Sequence, residues 1–287
     1  MKQYKAVYFD WDGTAVLSRL ADADRVLTAM ISVLKKGIKL IIISGTTYEN
    51  ICGGKLGQLI PRELLQNLYL GLARGNYNYG FDAKGRLVFL SDQTPSRAAT
   101  LKLHDAAYGF HHFLLKQYNL STDIVFSRPN YCKIDLMTES KRDSNALYLQ
   151  GEEVKQVNQL LVRHGMQGGL SKLLFLAEGI APDLGLRVTT DAKYVELGYT
   201  TKSDNVNYFM TEFSSMLSAK DCCFWGDEFG AIAPDVWGSD QRMITAKTKG
   251  GDFFSVSDAA LPLPDQVKHL GGGPEVFLHF LNQLGKE

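Results

Sequence analysis

Lys5-Ala6-Val7-Tyr8-Phe9 has the composition of a buried β-strand, and Asp10-Trp11-Asp12-Gly13-Thr14 follows it directly. The glycine lets the chain turn sharply after the strand. Open α/β sheets bind ligands in the crevice at the carboxyl ends of their parallel strands. We therefore expect Asp10 and Asp12, two acids separated by one residue, to point into such a crevice. The alternative is an exposed turn held by Asx hydrogen bonds.

The segments after this motif alternate between helical and strand patterns. Residues 21–36 have apolar positions at helical spacing, and residues 38–43 form a β-branched run typical of a strand buried on both faces. The order strand, helix, strand predicts a parallel sheet with right-handed crossovers. The first part of the chain is therefore expected to form an α/β core.

A different pattern interrupts this core. Asp82-Ala83-Lys84-Gly85 has hairpin-turn chemistry between two apolar segments. Beyond it we predict helices at 97–118 and 152–164 and strands at 123–127, 131–137, 172–177 and 186–197, as in an α+β module over an antiparallel sheet. The α/β pattern resumes with a helix at 203–216, a strand at 221–225 and a helix at 274–284. We therefore predict a split core, residues 1–84 and 197–287, around an inserted domain at 85–196.

The composition argues against two kinds of partner, nucleic acids and membrane surfaces. The chain has 287 residues with 31 basic and 31 acidic side chains, so its formal net charge is zero. Binders of nucleic acid or membrane surfaces need a basic excess, although a balanced charge still permits a local anion pocket. No apolar run approaches the roughly 18–20 residues that span a bilayer, and the N-terminus lacks a signal-peptide pattern. We expect a cytoplasmic protein without nucleic-acid or membrane partners, and the sequence leaves its oligomeric state open.

Four cysteines lie scattered along the chain: Cys52, Cys132, Cys222 and Cys223. They form no C-x-x-C pair, and a strand would turn the adjacent two to opposite faces. Buried, reduced thiols are the expected state in a cytoplasmic protein.

Three further polar clusters occur where strands end or a helix begins. Ser44-Gly45-Thr46 follows the strand at 38–43, where a hydroxyl and backbone N–H groups form either an anion site or a helix cap. Lys202 begins a helix, an unfavourable place for a cation unless an acid or a phosphate partners it; the alternative is an exposed surface lysine. Gly226-Asp227 and Gly238-Ser239-Asp240 follow the strand at 221–225 and could equally form a solvated acidic loop.

These clusters together indicate a metal-assisted phosphate site. Several carboxylates in one crevice repel each other unless a cation lies among them. Oxygen ligands with open positions suit Mg²⁺, which often bridges protein carboxylates to a substrate phosphate. A lysine and a serine beside the ion would complete a phosphoryl-binding set.

The ordered clusters closely resemble the four motifs of the haloacid dehalogenase-like (HAD) phosphohydrolase superfamily. The matching residues are Asp10-x-Asp12-Gly13-Thr14, Ser44-Gly45, Lys202, and Gly226-Asp227 with Gly238-Ser239-Asp240. The insertion resembles the type C2 cap of that superfamily, as in Cof-type phosphatases and eukaryotic-type phosphomannomutases. The resemblance implies an α/β fold: a Rossmann-like parallel-sheet HAD core with an inserted α+β, C2-type cap domain.

The resemblance also implies a role for each acid. Asp10 would be the nucleophile that forms an aspartyl-phosphate. Asp12 would protonate the leaving oxygen and then deprotonate the incoming water. Mg²⁺ would be held by the Asp10 side chain, the Asp12 backbone carbonyl and Asp227, with Asp240 as a further ligand or a partner of a ligand.

Ser44 and Lys202 would hold the phosphoryl oxygens, with Gly45 beside them.

Two features depart from related sequences. Cof-type enzymes usually carry Thr-Gly-Arg at the second motif, where this chain has Ser44-Gly45-Thr46. The segment between Asp227 and Asp240 is longer than the compact Gly-Asp-x-x-Asn-Asp of those phosphatases, which leaves Asp235 as a rival to Asp240. The preceding Gly238-Ser239 favours Asp240.

Residues 126–142 loosely resemble the phosphomannomutase cap segment that binds a distal phosphate with arginines. This resemblance implies that Arg128 and Arg142, with Lys133 as a further candidate, grip a second anionic group of the substrate. The alternative is that they are solvated surface charges.

The expected function is that of a Mg²⁺-dependent phosphatase acting on a small phosphorylated metabolite, a sugar phosphate above all, through an aspartyl-phosphate intermediate. The alternative is a phosphomutase of the phosphomannomutase type that acts on hexose phosphates, because the same catalytic residues serve both reactions. A non-catalytic phosphometabolite sensor is a third hypothesis, but a sensor has no need of a general acid at Asp12.

Overall fold

The computed structural model describes residues 2–128, 130–138, 150–180 and 182–286, and these fall into two units. The core unit comprises Met1–Gln93, Thr201–Phe229 and Asp240–Glu287. The cap unit comprises Thr94–Thr200 and Gly230–Ser239. This division differs at residues 85–93, 197–200 and 230–239 from the sequence-based placement of an inserted domain at 85–196.

The elements up to residue 93 are β1 (Ala6–Phe9), α1 (Asp24–Lys35), β2 (Lys39–Ile43), α2 (Leu56–Leu59), β3 (Leu68–Leu72), β4 (Tyr77–Phe81) and β5 (Leu87–Asp92). Residues 94–200 form α3 (Arg97–Tyr118), β6 (Asp123–Val125), β7 (Tyr131–Asp135), α4 (Gln150–Arg163), α5 (Gly169–Glu178), β8 (Arg187–Thr190) and β9 (Tyr194–Gly198). The remainder forms α6 (Lys202–Glu212), β10 (Cys222–Gly226), β11 (Ala231–Ala233), β12 (Val236–Trp237), β13 (Asp252–Ser255), β14 (Val267–His269) and α7 (Gly273–Lys286). Within the ranges that the structure describes, no helix is both long and apolar enough to cross a membrane.

The core unit contains an eight-stranded sheet in the order β14-β13-β10-β1-β2-β3-β4-β5. Neighbouring strands from β14 to β3 pair in parallel, whereas β4 is antiparallel to both β3 and β5. In the central strand β1, Phe9 lies opposite Ile42 of β2 and Trp225 of β10. The predicted α/β fold class is confirmed, and the carboxyl ends of β1, β2 and β10 meet at one edge of the sheet.

Both faces of β1 are buried, as its apolar sequence predicts. Val7 and Phe9 belong to the core cluster formed with α1 and α7, and the Phe9 ring centroid lies 4.9 Å from that of Phe277. Ala6 and Tyr8 belong to the cluster formed with α6 on the opposite face. Because burying each large apolar side chain contributes about 1.5–3 kcal/mol, the strand that precedes Asp10 is held firmly in place.

The adjacent cysteines obey the same alternation. Cys222 packs on the α6 face of the sheet and Cys223 on the α1 and α7 face, and both are fully buried. Cys132 is also buried, Cys52 is half-buried, and all four thiols are free.

The predicted turn at residues 82–85 joins β4 to β5. Gly85 N–H donates to the Asp82 carbonyl at 2.9 Å, and the Asp82 carboxylate accepts from the backbone N–H groups of Lys84 and Arg86. Because β5 pairs with β4, this hairpin extends the core sheet, which places residues 85–93 in the core unit.

The cap unit has a four-stranded antiparallel sheet, β6-β7-β9-β8, together with α3, α4 and α5. The strand predicted at 172–177 is wrong, since these residues lie in α5, where buried leucines recur at helical spacing. A short apolar run cannot be told from a buried helix segment by periodicity alone. The single strand predicted at 186–197 is two strands, because the chain turns between β8 and β9, where Ala192 has a φ of 74°.

Candidate active site

The loop after β1 is held by backbone hydrogen bonds and by a glycine. Asp10 N–H donates to the Trp225 carbonyl at 3.0 Å, and Gly13 N–H donates to the Val16 carbonyl at 2.7 Å. Gly13 has a φ of 84°, and a Cβ there would collide with the Asp227 carboxylate. Glycine therefore allows this loop to approach the loop after β10 closely.

Three acids meet at the carboxyl ends of β1 and β10. Carboxylate oxygens of Asp10, Asp227 and Asp240 lie within 4.8 Å of one another, and Thr14 Oγ1 donates to Asp227 Oδ1 at 3.0 Å. Burial raises the pKa of Asp10 to about 8 and raises the pKa of Asp227 well above its usual value. Nearby carboxylates add to both shifts. The cluster therefore needs a cation if its acids are to be ionised together.

This donor set fits Mg²⁺. The three groups offer hard oxygen ligands, and three side chains leave positions for water and for a substrate phosphate. The sequence-based ligand set was Asp10, Asp12, Asp227 and Asp240, and the structure brings together the side chains of all but Asp12. The expected contribution of Asp12 is its backbone carbonyl, which stays a prediction.

Lys202 lies among these acids. Its Nζ is 2.7 Å from Asp240 Oδ1 and 3.2 Å from Asp10 Oδ1, and the side chain is 4% exposed, so it is no surface lysine. Burial opposes the charge, but Asp10 and Asp240 together raise the pKa of Lys202 above its usual value. Lys202 begins α6, and Thr201 and Asp204 form a capping box there, in which Asp204 Oδ2 accepts from Thr201 N–H at 2.8 Å. An acid thus partners the cation at this helix start, the arrangement that its position predicted.

Asp240 and its rival Asp235 lie in different surroundings. Asp240 is fully buried, and its Oδ2 accepts from Glu228 N–H at 2.8 Å. A Cβ at Gly226 would collide with the Asp240 carboxylate, so this glycine makes room for it. Asp235 is exposed in the β11–β12 turn of the cap unit, at a φ of 61°. The geometry favours Asp240 as the acid that completes the cluster.

Ser44 lies at the end of β2, at the same edge of the sheet as Asp10. Its side chain is buried, its backbone N–H donates to the Gly71 carbonyl at 2.9 Å, and its Oγ accepts from Thr46 N–H at 3.3 Å. Thr46 Oγ1 in turn accepts from Asn50 Nδ2 at 2.9 Å. The hydroxyl of Ser44 thus stands at the carboxyl end of its strand, as the sequence predicts, although the same geometry also organises the local turn.

Arg19 is a neighbour of the site that the sequence reasoning missed. Its guanidinium lies 3.5 Å from Asp12 Oδ2, with 51% of the Arg19 side chain and 28% of the Asp12 side chain exposed. Burial raises the pKa of Asp12, and Arg19 and Lys202 oppose the rise. A single arginine in a loop has no periodic pattern, and its proximity to Asp12 in sequence is the only signal that could have suggested it.

Asn205 is a second contact that the sequence did not reveal. From the first turns of α6 its Nδ2 donates to the Tyr77 carbonyl at 3.0 Å and to Asn78 Oδ1 at 2.9 Å. Both Asn205 and Asn78 are fully buried. These bonds tie the helix that carries Lys202 to the start of β4.

The candidate residues of the cap unit have their own surroundings. Arg128 is half-buried, and its Nε has no hydrogen-bond partner among the described residues. Lys133 Nζ lies 2.9 Å from Glu196 Oε1 and 3.7 Å from Asp191 Oδ2, so it is an ion-paired rather than a solvated charge. Arg142 lies outside the described residues.

No protein-family model matches the sequence, and no curated protein matches it. Solved structures do match. IMP-nucleotidase from Plasmodium falciparum has a TM-score of 0.59 at 12% identity, over 99% of this chain and 62% of that chain. An IMP-bound form of that enzyme has a TM-score of 0.60 at 11% identity, over 98% of this chain and 66% of that chain. Trehalose-6-phosphate phosphatase from Aspergillus fumigatus has a TM-score of 0.56 at 14% identity, over 99% and 94%.

This chain has the HAD fold. At 11–14% identity the likeness shows the fold alone. The chain spans less than two thirds of the length of the Plasmodium chains, 62% and 66%. The closer resemblance to Cof-type phosphatases and to phosphomannomutases stays a prediction, and the site's own geometry carries the functional proposal.

Proposed function

We propose that the protein is a Mg²⁺-dependent phosphatase that hydrolyses a small phosphorylated metabolite through an aspartyl-phosphate on Asp10. The observation that carries the proposal is the buried Lys202 ammonium between Asp10 and Asp240. Attack of a carboxylate on a phosphate monoester brings two anions together, so the site must supply positive charge before the reaction starts. A buried, doubly ion-paired lysine beside the nucleophile meets that need.

Asp10, Asp227 and Asp240 would hold the metal, and when bound it supplies charge that offsets the phosphate and the carboxylates. Asp10 attacks phosphorus through one carboxylate oxygen, so a new O–P bond forms and the ester O–P bond breaks. The leaving oxygen takes the electron pair and receives a proton from Asp12. Lys202 and the Ser44 hydroxyl donate to the phosphoryl oxygens during this transfer.

In the second step Asp12 takes a proton from a water molecule that attacks the phosphorus of the aspartyl-phosphate. A water O–P bond forms, the acyl O–P bond breaks, and Asp10 returns as a carboxylate with inorganic phosphate as the product. The raised pKa of Asp12, caused by its burial, supports this exchange of one proton in both directions.

The proposed substrate is a small phosphate monoester. The structural neighbours are named for two phosphate monoesters, IMP and trehalose 6-phosphate, one a nucleotide and the other a sugar phosphate. We favour a sugar phosphate. The phosphomutase alternative uses the same core residues and differs in what Asp12 activates, a sugar hydroxyl instead of water.

The deciding experiment is release of inorganic phosphate from a panel of sugar phosphates and nucleoside monophosphates, with Mg²⁺ and with a chelator in its place. We expect turnover on part of the panel that disappears with the chelator and returns with excess Mg²⁺. Isomer formation from a hexose phosphate that depends on a bisphosphate primer, without phosphate release, would replace the phosphatase with the mutase. Absence of turnover across the panel in the presence of Mg²⁺ would favour the sensor hypothesis.

A further inference from the structure

The turn between β3 and β4 is fastened to the loop that carries Ser44. Ala73 N–H donates to the Thr46 carbonyl at 3.0 Å, and Ser44 N–H donates to the Gly71 carbonyl at 2.9 Å. Two backbone hydrogen bonds therefore fix this turn beside the second motif.

Arg74 occupies this turn, and its side chain lies on Gly45. A Cβ at Gly45 would be 3.3 Å from both Cγ and Nε of Arg74, which is tighter than an ordinary van der Waals contact. The absence of a side chain at Gly45 thus lets an arginine pack directly on the residue that follows Ser44. Arg74 is half-buried, so it is partly shielded from solvent.

Two residues of this turn have strained backbone conformations. Ala73 and Arg74 both have a φ of 51°, in the left-handed region that residues with a Cβ avoid. Gly75, which tolerates this region, comes one position later at a φ of 98°. Strain of this kind persists where the surroundings over-determine it, and it is concentrated at functional sites.

Charge supplies a reason for a further cation here. The carboxylates of Asp10, Asp227 and Asp240 are balanced by the Lys202 ammonium, which is ion-paired with two of them, and by the Mg²⁺ ion that they would hold. A phosphate monoester adds about 1.5 to 2 negative charges. An arginine presents several N–H donors in a planar fork that matches phosphate oxygens, so Arg74 is chemically suited to this demand.

The second motif itself provides no such cation. Its third residue is Thr46, which is buried and whose Oγ1 accepts from Asn50 Nδ2 at 2.9 Å. The arginine on the adjacent turn lies over Gly45 instead. A guanidinium therefore reaches the second motif from β3 rather than from the motif's own loop.

We infer that Arg74 binds the anionic phosphate group of the substrate beside Ser44. This inference rests on the proposed function, because it assigns Arg74 to the same phosphoryl site. Asn205 supports the placement: its bonds to the Tyr77 carbonyl and to Asn78 connect the strand after the turn to the helix that carries Lys202.

The test compares Arg74→Gln, Arg74→Lys and Arg74→Ala in the full chain with Mg²⁺. Arg74→Gln keeps much of the stem on Gly45 and removes the charge, so it separates charge from packing. We expect Arg74→Gln and Arg74→Ala to raise KM, and the dissociation constant of inorganic phosphate measured by calorimetry, by about 10-fold to 100-fold. The kcat value should change less, and Arg74→Lys should restore part of the loss. Arg86→Ala, at an exposed arginine paired with Asp82, is the matched control and should leave both constants unchanged.

Gly45→Ala gives an independent test, because the added Cβ would press on the Arg74 side chain. It should weaken phosphate binding in the wild-type background and have little further effect in Arg74→Ala, as expected for residues that act on one contact. Phosphate binding by folded Arg74→Gln that equals the wild type would overturn the inference, as would full additivity of the two substitutions.

Failure of the proposed function gives a different result. If the wild-type protein binds phosphate through Arg74 but releases none from any ester, the inference about Arg74 stands and the proposed phosphatase activity is wrong. If the wild-type protein turns over phosphate esters and Arg74→Gln has the same KM and phosphate affinity, the proposed function stands and the inference about Arg74 is wrong.

Discussion

The Lys202 ammonium donates to Asp240 Oδ1 at 2.7 Å, and both side chains are buried. Breaking a buried ion pair by removing one partner is strongly unfavourable, because it leaves the other charge uncompensated. Lys202, Asp240 and Asp10 therefore act as one electrostatic group, and any substitution in it changes the other two members.

Lys202→Met keeps the length of the side chain and removes the charge. We expect kcat to fall by about 10²–10³-fold, since the transferring phosphoryl group and Asp10 lose their buried cation. Steady-state kinetics checks this, and Lys36→Met, at an exposed lysine directly after α1, is the control. Activity within a few-fold of the wild type would remove Lys202 from the mechanism.

Asp10→Asn should abolish turnover, with a loss of more than about 10³-fold, because an amide cannot serve as the nucleophile. The variant should still fold, since Asp10 contributes its backbone N–H to the sheet and that bond is retained. Phosphate release and thermal unfolding are the two measurements. Asp105→Asn, at an exposed acid of α3, should behave as the wild type. Normal activity in Asp10→Asn would refute the assignment of the nucleophile.

Asp12→Asn should slow the hydrolysis of an ester more when its leaving group is more basic. An alkyl phosphate needs a proton on the departing oxygen, so its hydrolysis should fall by about 10²–10⁴-fold. The first step with p-nitrophenyl phosphate should fall less, because nitrophenolate leaves without protonation. Burst kinetics of nitrophenolate release measures that step separately. Equal losses in the first step for both esters would mean that Asp12 is not the general acid.

Gly71→Ala should destabilise the core unit. A Cβ there would lie 2.5 Å from Asn205 Cβ and 2.8 Å from Ile43 Cδ1, both in the packed interior beneath α6. Overpacking of this kind lowers the free energy of unfolding by about 1–3 kcal/mol or more. Gly109→Ala is the counterpart, because a Cβ in the middle of α3 meets nothing within 4 Å. It should stabilise by about 0.4–1 kcal/mol, and urea unfolding distinguishes the two results.

Asp221 should make the free energy of unfolding decrease as the pH falls into the acidic range. Its carboxylate accepts from Ser218 N–H and Oγ at 2.8 and 2.9 Å and lies 3.1 Å from Lys5 Nζ, and these contacts lower its pKa to about 2. The folded pKa is below the unfolded value of about 3.9, so the stabilisation is complete above that value and is lost as pH falls towards 2. The urea midpoint of Asp221→Ala should therefore lie below that of the wild type at pH 7, and the gap should narrow near pH 2. A gap that stays constant would contradict this.

The central strands β1, β2 and β10 were predictable because they are almost entirely apolar and the motifs follow them in order. The buried runs ending at Phe9 and Ile43 and the acids after β1 and β10 each have a local signature. Helix α5 was not predictable, because its apolar run Leu173-Leu174-Phe175-Leu176 is compatible with both a strand and a buried helix until tertiary contacts decide between them.

The contacts that surround the motifs have no local signature. Asn205 meets Asn78 only because α6 packs against β4, far away in sequence. Arg74 lies on Gly45 only because β3 pairs with β2 and its turn is fastened to the second motif. Such residues become visible when the sheet order is known, and a single sequence does not provide that order.

The central position of β1 has a consequence for synthesis of the chain. Phe9 can pair with Ile42 early, but with Trp225 only after residues 94–200 of the cap unit have been made. A nascent chain on the ribosome therefore holds β1 with one unpaired edge while residues 94–200 are translated, and an unpaired apolar edge favours aggregation. The same delay keeps the Asp10 carboxylate without its partners Lys202 and Asp240 until the last third of the polypeptide is made.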